Sequence, residues 1–439
     1  MWNEVFVRIF DKKLHMAYPK GYYSSLWNKV VIVAALGYFV DIYDLVLFGM
    51  ERVASLKEIL SHTLPVSEQM YMDKYIEEIG TRLLNWQMLG MLMGGMVWGI
   101  LADKKGRLSV LFGSIITYSV ANVLNGMVHD TDTYAVLRFI SGFGLAGELG
   151  AGVTLVSETM PKETRGMGTT MVATIGLLGA VFAGLTTYYI NNWRMSYYIG
   201  GILGFLLLLL RIGVYESGMY SGLKESKVKR GNFMYLFSTP YILMKYLSVI
   251  IIALPVWYVT YMLIQFAPEM TKALGMHNYP KEARIPIMVE YMGVSLGDLS
   301  SGVLSQKWRS RKKALYFFIL GTMFATMVYF LFVRDSLWWF YSIVFVLGYF
   351  AGYWAVFMAT AAESFGTNIR GTVATTAPNF VRGSVPLMSI SHLYLKDVVG
   401  TVNSGMIIGV VVFALALWSV SRLDETFHKE LDYVEGGEV

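Results

Sequence analysis

Asp41 and Asp44 stand three residues apart in an apolar run, which a helix would place on one face. Two carboxylates that close, in a poorly solvated place, do not both ionise easily, so one of them is expected to carry a proton. Arg138 and Glu148 share a second apolar run. Arg382 stands in a third, with Asn379 one turn earlier and Pro378 and Pro386 flanking it. A guanidinium is always charged and suits a carboxylate or phosphate, often through two hydrogen bonds. Arg382 therefore reads as an anchor for an anionic group, or else as a counter-ion to Asp41, Asp44 or Asp298. A salt bridge between Asp44 and Arg138 that opens on protonation would couple proton to cargo; a permanent structural pair would only hold helices together. Glu148, among Gly144, Gly147, Gly150 and Gly152, is either a second proton site or a carboxyl hydrogen-bonded across a tight helix contact.

These groups need a scaffold that carries them into a bilayer. The 439 residues are 55% hydrophobic and 15% charged, too little charge for a soluble chain of this length. Cysteine is absent, which excludes a disulfide framework, a thiolate metal site and a cysteine nucleophile. No metal-ligand cluster, Gly-x-Ser-x-Gly elbow or phosphate-binding Gly-Lys-Ser/Thr loop occurs, so neither an enzyme nor a cofactor or metal is expected. Twelve apolar runs approach the roughly 20 residues a span requires. They cover about 30–50, 84–102, 108–128, 133–156, 167–190, 194–214, 241–266, 286–305, 313–333, 336–361, 372–395 and 400–421. The expected architecture is all-α: a cytoplasmic lead-in (1–29), a six-helix bundle (30–214), a cytoplasmic loop (215–240), a second six-helix bundle (241–421) and a cytoplasmic tail (422–439).

Basic residues orient the chain. With the N-terminus in the cytoplasm, 24 of the 36 Lys and Arg fall on cytoplasmic segments and ten on outside ones, while Arg138 and Arg382 lie within spans. That bias, rather than the net charge of +5, is informative, and it points to a membrane and not to nucleic acid. At about 1.5 Å per residue, Asp41 and Arg382 each lie roughly 15 Å deep, near the middle of a core about 30 Å thick. An ionisable group at that depth costs about 2.5 kcal/mol or more, so its presence argues for function. The outside segment 51–83 is acidic and is expected to carry a short surface helix.

The chain also repeats itself. Ser157-Glu158-Thr159-Met160-Pro161-Lys162-Glu163-Thr164-Arg165-Gly166 returns as Ala362-Glu363-Ser364-Phe365-Gly366-Thr367-Asn368-Ile369-Arg370-Gly371, and Gly90, Gly94 and Gly99 return as Gly293, Gly297 and Gly302. Two related halves with a site between them are implied. Gly99-Ile100-Leu101-Ala102-Asp103-Lys104-Lys105-Gly106-Arg107 resembles the loop between spans 2 and 3 of the major facilitator superfamily. Arg138-Phe139 with Gly142, Gly144 and Gly147-Glu148 resembles its fourth span. Gly37, Asp41, Asp44, Gly49, Trp193-Arg194 and Glu216-Ser217 resemble the metabolite:proton symporter branch, and Asp41 is also similar to the aromatic acid:proton symporters. The loop after span 8 departs from the pattern, with Gln306 where the counterpart of Asp103 would stand.

The resemblance implies a proton-coupled symporter of the inner membrane, with N- and C-termini cytoplasmic, working by alternating access on a small organic anion or zwitterion. A monomer is expected, with lipid, protons and a small molecule as its partners. Asp41, Asp44, Arg138 and Glu148 are the candidates for proton coupling. Arg382, Asn379, Asp298, Tyr38, Gln265, Tyr353 and Trp354 are the candidates for substrate contact. Asp103, Arg107, Glu158, Arg165, Glu363 and Arg370, at the cytoplasmic ends of spans, are candidates for an inner gate. Export or import of a larger anionic metabolite or a siderophore-like chelate is the alternative of the same class, and a non-transporting receptor is the alternative of another.

Overall fold

The structure, a computed structural model, describes residues 29–105, 107–148, 165–216, 233–332, 335–366, 369–427 and 429. Among them are helices and turns and no strand. The chain runs through α1 (Lys29–Thr63), α2 (Met72–Lys105), α3 (Arg107–Asn125), α4 (Thr131–Leu145), α5 (Arg165–Ile190) and α6 (Trp193–Glu216). It continues through α7 (Pro240–Ile251), a one-turn α8 (Leu254–Trp257), a π-helical stretch (Tyr258–Gln265) and α9 (Ala267–Ala273). Then come α10 (Arg284–Trp308), α11 (Arg311–Leu331), α12 (Leu337–Ala351), α13 (Trp354–Ser364), α14 (Arg370–Gly383), α15 (Val385–Val399) and α16 (Thr401–Arg422).

Seven helical stretches among the described residues are long and apolar enough to cross a membrane: Val31–Thr63, Met171–Ile190, Trp193–Ile212, Pro240–Gln265, Arg311–Leu331, Leu337–Ser364 and Thr401–Arg422. The other expected spans fall on helices too (α2, α3, α4, α10, and α14 with α15), but these are shorter or more polar. The polarity has a place. α10 and α14 carry buried Glu290, Asp298, Asn379 and Arg382, whereas the outward faces of α6, α11 and α16 show Leu209, Phe324 and Val410 to the surroundings. Apolar outside and polar inside is the arrangement a lipid solvent requires.

Among the described residues after position 232, three expected spans are broken, each for a local reason. Pro255 lacks a backbone donor, so the helix begun at Pro240 gives way after Ile251 and resumes in wider π-helical turns. Span 10 breaks at Gly352-Tyr353, where α12 crosses α10 so closely that a Cβ on Gly352 would come within 2.7 Å of the Asp298 nitrogen. The new helix, α13, is held at its start by the Asp298 side chain, whose Oδ1 accepts from the Ala355 nitrogen at 2.6 Å. Span 11 breaks between Gly383 and Val385, with Pro386 in the first turn of α15.

The extent of the expected outside segment is also corrected. Residues 51–83 do hold a short surface helix, the 3-10 turn Val66–Tyr71, but most of the segment belongs to its neighbours: α1 continues to Thr63 and α2 begins at Met72, two helices of 35 and 34 residues.

The repeated glycines are explained by packing. α2 lies on α4 and α14, α10 lies on α12 and α5, and α1 lies on α5 and α6. A Cβ on Gly90 or Gly94 would overlap the carbonyl oxygens of Phe139 or Phe143 in α4; one on Gly293 or Gly297 would overlap those of Phe345 or Tyr349 in α12. The same backbone-on-backbone crossing is built twice, 203 residues apart. At the far end, Leu423–Phe427 folds back over the start of α11. Glu425 accepts from the Ser310 hydroxyl and from the backbone nitrogens of Arg311 (2.9 Å) and Lys312 (3.3 Å). Thr426 donates to Glu363 at 2.8 Å, and Glu363 is paired with Arg311 at 2.8 Å.

Two outcomes follow from this packing. Gly297→Val should cost about 3 kcal/mol or more by overpacking, read as loss of monodisperse protein in detergent. Gly99→Ala should be tolerated, because its nearest neighbour, the Thr376 methyl, would lie at 3.6 Å. Partial burial pushes the Glu425 carboxyl up, but the Ser310 hydroxyl and the Arg311, Phe427 and Lys312 nitrogens outweigh it and hold it below the ordinary glutamate range. A carboxyl depressed on folding contributes stability above its unfolded value and loses it as pH falls through the folded one. Glu425→Gln should therefore lower the melting temperature at pH 7 by an amount worth about 0.5 kcal/mol after solvent screening, and the gap to the parent should close below about pH 4.

Candidate functional site

α1 sets one wall of the central region. Asp41 is fully buried, and neither of its carboxylate oxygens makes a hydrogen bond to the protein. The charge that acts on it most strongly is that of Arg382 on α14, ahead of Glu148, Asp44 and Arg211. Tyr38, one turn before Asp41, senses the same arginine and is packed against Gly176 of α5, where a Cβ would overlap its ring. Asp41 and Arg382 thus lie within electrostatic reach of one another across the boundary between the first six helices and the rest, without an ion pair of 4 Å or less.

Arg382 is 1% exposed. Its guanidinium carbon lies 5.7 Å from the ring centroids of both Trp257 (α8) and Trp354 (α13). Its Nη1 donates to the Asn379 Oδ1 at 3.4 Å, and its Nε has no partner. The two indoles come from two of the broken spans, Trp257 two residues after Pro255 and Trp354 two residues after Gly352. Two aromatic faces beside a guanidinium give it a weakly hydrated, partly apolar setting. The Trp354 indole nitrogen also lacks a partner. Tyr291 on α10 is within electrostatic reach of Tyr38 and Arg382. A planar anion with apolar faces is the chemistry this arrangement suits.

Other expected residues occupy different stations. Asp44 is buried against α6, where a Cβ on Gly200 would meet its carboxylate and lie 3.5 Å from the Asn122 amide of α3. It stands three residues from Asp41, about 60° around α1, within electrostatic reach of it. The expected Asp44–Arg138 ion pair is not formed: Asp44 has no hydrogen-bond partner. Arg138 instead donates to the Tyr197 hydroxyl at 3.4 Å and lies 5.2 Å from the ring of Phe48. Glu148 is ion-paired with Arg211 of α6, Nη1 to Oε2 at 3.0 Å. Gly37 is the reason the pair fits beside α1, since a Cβ there would overlap both side chains.

Asp298 spends Oδ1 on the start of α13, Tyr353 donates to the Ile252 carbonyl at 2.9 Å, and Asn379 donates to the Ala146 carbonyl at 3.0 Å. These three brace the breaks and the boundary around Arg382. Gln265 lies against Gly49, nearer the expected outer end, with its amide unpartnered. Of the expected inner-gate residues, Glu363 pairs with Arg311, and Arg370 donates to the Ala362 carbonyl at 3.0 Å. Glu158 lies outside the described residues, as do the side chains of Asp103, Arg107 and Arg165 in α2, α3 and α5.

Sequence reasoning missed Arg211, which it counted among the inner-end cations although it falls within a span. It also passed over Trp257 as one aromatic among many. The signal for Arg211 was available: a buried acid in span 4 needs a cation, and few exist at that depth. Nothing in the sequence singled out Trp257, because its position depends on the break two residues earlier.

Comparison with known proteins gives the family. The Major Facilitator Superfamily profile matches residues 35–389. The chain is 26% identical over 336 residues to a Bacillus subtilis protein named as a niacin/nicotinamide transporter, covering 74% of this chain and 80% of the other. It is 26% identical to the 3-(3-hydroxy-phenyl)propionate transporter of Escherichia coli, covering 75% of this chain and 81% of the other. It is 30% identical to the benzoate transport protein of Acinetobacter baylyi over a shorter stretch, 42% of this chain and 38% of the other. The relatives carry small organic acids, the helices are those of a multi-pass membrane protein, and this chain belongs to the Major Facilitator Superfamily.

Proposed function

We propose that the chain is a proton-coupled symporter of a small organic acid, built as two six-helix halves of twelve spans in all, with both termini in the cytoplasm and the protein in the inner membrane. The single observation that carries the reading is Arg382: a guanidinium buried at the boundary between the halves, flanked by Trp257 and Trp354, with Asp41 within electrostatic reach but unpaired. A permanent structural role would favour a closed ion pair there, as Glu148 and Arg211 have.

In this reading the substrate carboxylate binds Arg382 and its apolar face lies along the indoles. An ionised Asp41 competes for the same guanidinium. Protonation of Asp41 removes that competitor, so proton and acid load together and leave together. Asp44, buried and unpartnered near Asn122, is the second candidate for the proton, with Arg138 beside it. Asn379, Asp298 and Tyr353 hold the site's shape from behind. Niacin, hydroxyphenylpropionate and benzoate, the cargoes named for the relatives, all pair an aromatic ring with a carboxylate or its amide, and that class fits this setting.

The test is uptake in proteoliposomes with an imposed pH gradient. Uptake of an aromatic monocarboxylate should collapse on adding an uncoupler. Asp41→Asn should abolish accumulation against a gradient while retaining exchange; full accumulation by this variant would refute the proton role. Arg382→Gln should weaken binding about 10- to 100-fold, the worth of a hydrogen bond to a charged group, as seen in a thermal-shift titration. Arg382→Lys should recover only part of that loss, because an ammonium keeps the charge without the two-pronged geometry.

A further inference from the structure

We propose that Glu51, Arg52, Glu269 and Arg284 form a charge latch that closes the expected outer end of the substrate path and must come apart in each transport cycle. The residues come from the segment beyond the expected first span and from the loop that follows the broken span 7. Arg52 of α1 pairs with Glu269 of α9 at 2.7 Å, and Arg284 of α10 pairs with Glu51 of α1 at 2.7 Å. Both pairs join a residue before position 217 to one after 232, so both tie the first group of helices to the second. Two further pairs at the same end do likewise, Lys396–Glu77 at 2.7 Å and the exposed Lys272–Asp73 at 3.0 Å.

The inner two pairs are built in rather than incidental. Glu51 and Arg52 are fully buried, and Arg284 is 7% exposed. Glu51 also accepts from the Ser196 hydroxyl of α6 at 2.9 Å, and Arg284 donates to Asn191 at the end of α5 at 2.8 Å. Arg52 lies over the Phe266 ring at 4.3 Å and donates to the Gln265 carbonyl at 3.4 Å. Well-packed apolar side chains would hold a permanent contact at least as firmly. Charges suit a contact that opens, because each partner regains water when the pair separates, whereas parted apolar faces would be left exposed to it. The placement also links the latch to the candidate site: Trp257, beside Arg382, leads through the π-helical stretch into α9, which carries Glu269 and Lys272. π-helical turns are frequently found at functional sites.

The chain has no cysteine, so Gln265→Cys supplies a single buried thiol beside Gly49, on a residue whose backbone carbonyl accepts from Arg52. A membrane-impermeant maleimide is applied to each face of sealed vesicles in turn. With the latch intact, labelling from the face that carries residues 51–83 should be slow. Adding Arg52→Ala, Glu269→Gln or Arg284→Ala should raise that rate about tenfold or more, the size of a typical coupling between states. The exchanged pair Arg52→Glu with Glu269→Arg should return it toward the slow value, and this variant decides the matter where a single change fails to fold. Unchanged labelling in all three single variants would overturn the proposal, as would an exchanged pair that labels as fast as Arg52→Glu alone. The readout needs no substrate, so a wrong assignment of cargo or of proton coupling leaves it standing.

Discussion

A guanidinium carried into an apolar helix bundle cannot give up its charge, and everything near Arg382 is arranged around that fact. An apolar interior solvates it poorly, so polar and aromatic neighbours must do so instead. They do so incompletely: one hydrogen bond to Asn379, two indole faces and an acid within electrostatic reach that makes no pair with it. The contrast with Arg211 is instructive, since that arginine is paired with Glu148 through both terminal nitrogens. One buried arginine is finished as a structural contact and the other retains capacity for an anion.

The helices that present these groups are irregular where they must be. A continuous helix presents each side chain at a fixed angle, whereas Trp257 and Trp354 each stand just past an interruption. Pro255, the close crossing at Gly352 and Pro386 interrupt the helices and free backbone groups that then need partners. Tyr353 supplies one for Ile252, and Asp298 supplies another at Ala355. Residues first read as substrate contacts are in this sense the support of the site: they hold the breaks open in one geometry so that the aromatic faces stay beside the arginine.

The two groups of helices meet at contacts of different character. Near the middle they meet through small residues and single hydrogen bonds, such as Asn379 to Ala146 and Ser295 to Thr174. Beyond the spans, α1 and α2 reach out as long helices, and charged side chains on them meet opposite charges from α9, α10 and α15. Single hydrogen bonds join the groups near the centre, and ion pairs join them beyond the spans.

Much of this was legible in the order of the residues alone. The apolar runs and the doubled glycines announced a helical membrane scaffold with a recurring close crossing, because lipid permits few ways to satisfy a backbone and because small residues let two helices approach closely. Buried Asp41 and Arg382 could be singled out for the cost of placing charge at that depth. Asn379 and Trp354 were named with Arg382, but most partners were not legible. Whether Asp44 meets Arg138, whether Glu148 stays free, and which of 11 tryptophans stands beside Arg382 depend on helix rotation and on breaks that shift side chains through tens of degrees. Charge pairing between residues more than two hundred positions apart, as in Arg52 with Glu269, depends on how the halves dock. Local composition determines that a segment enters the membrane and which residues it must hide; only the packed bundle decides what each hidden charge faces.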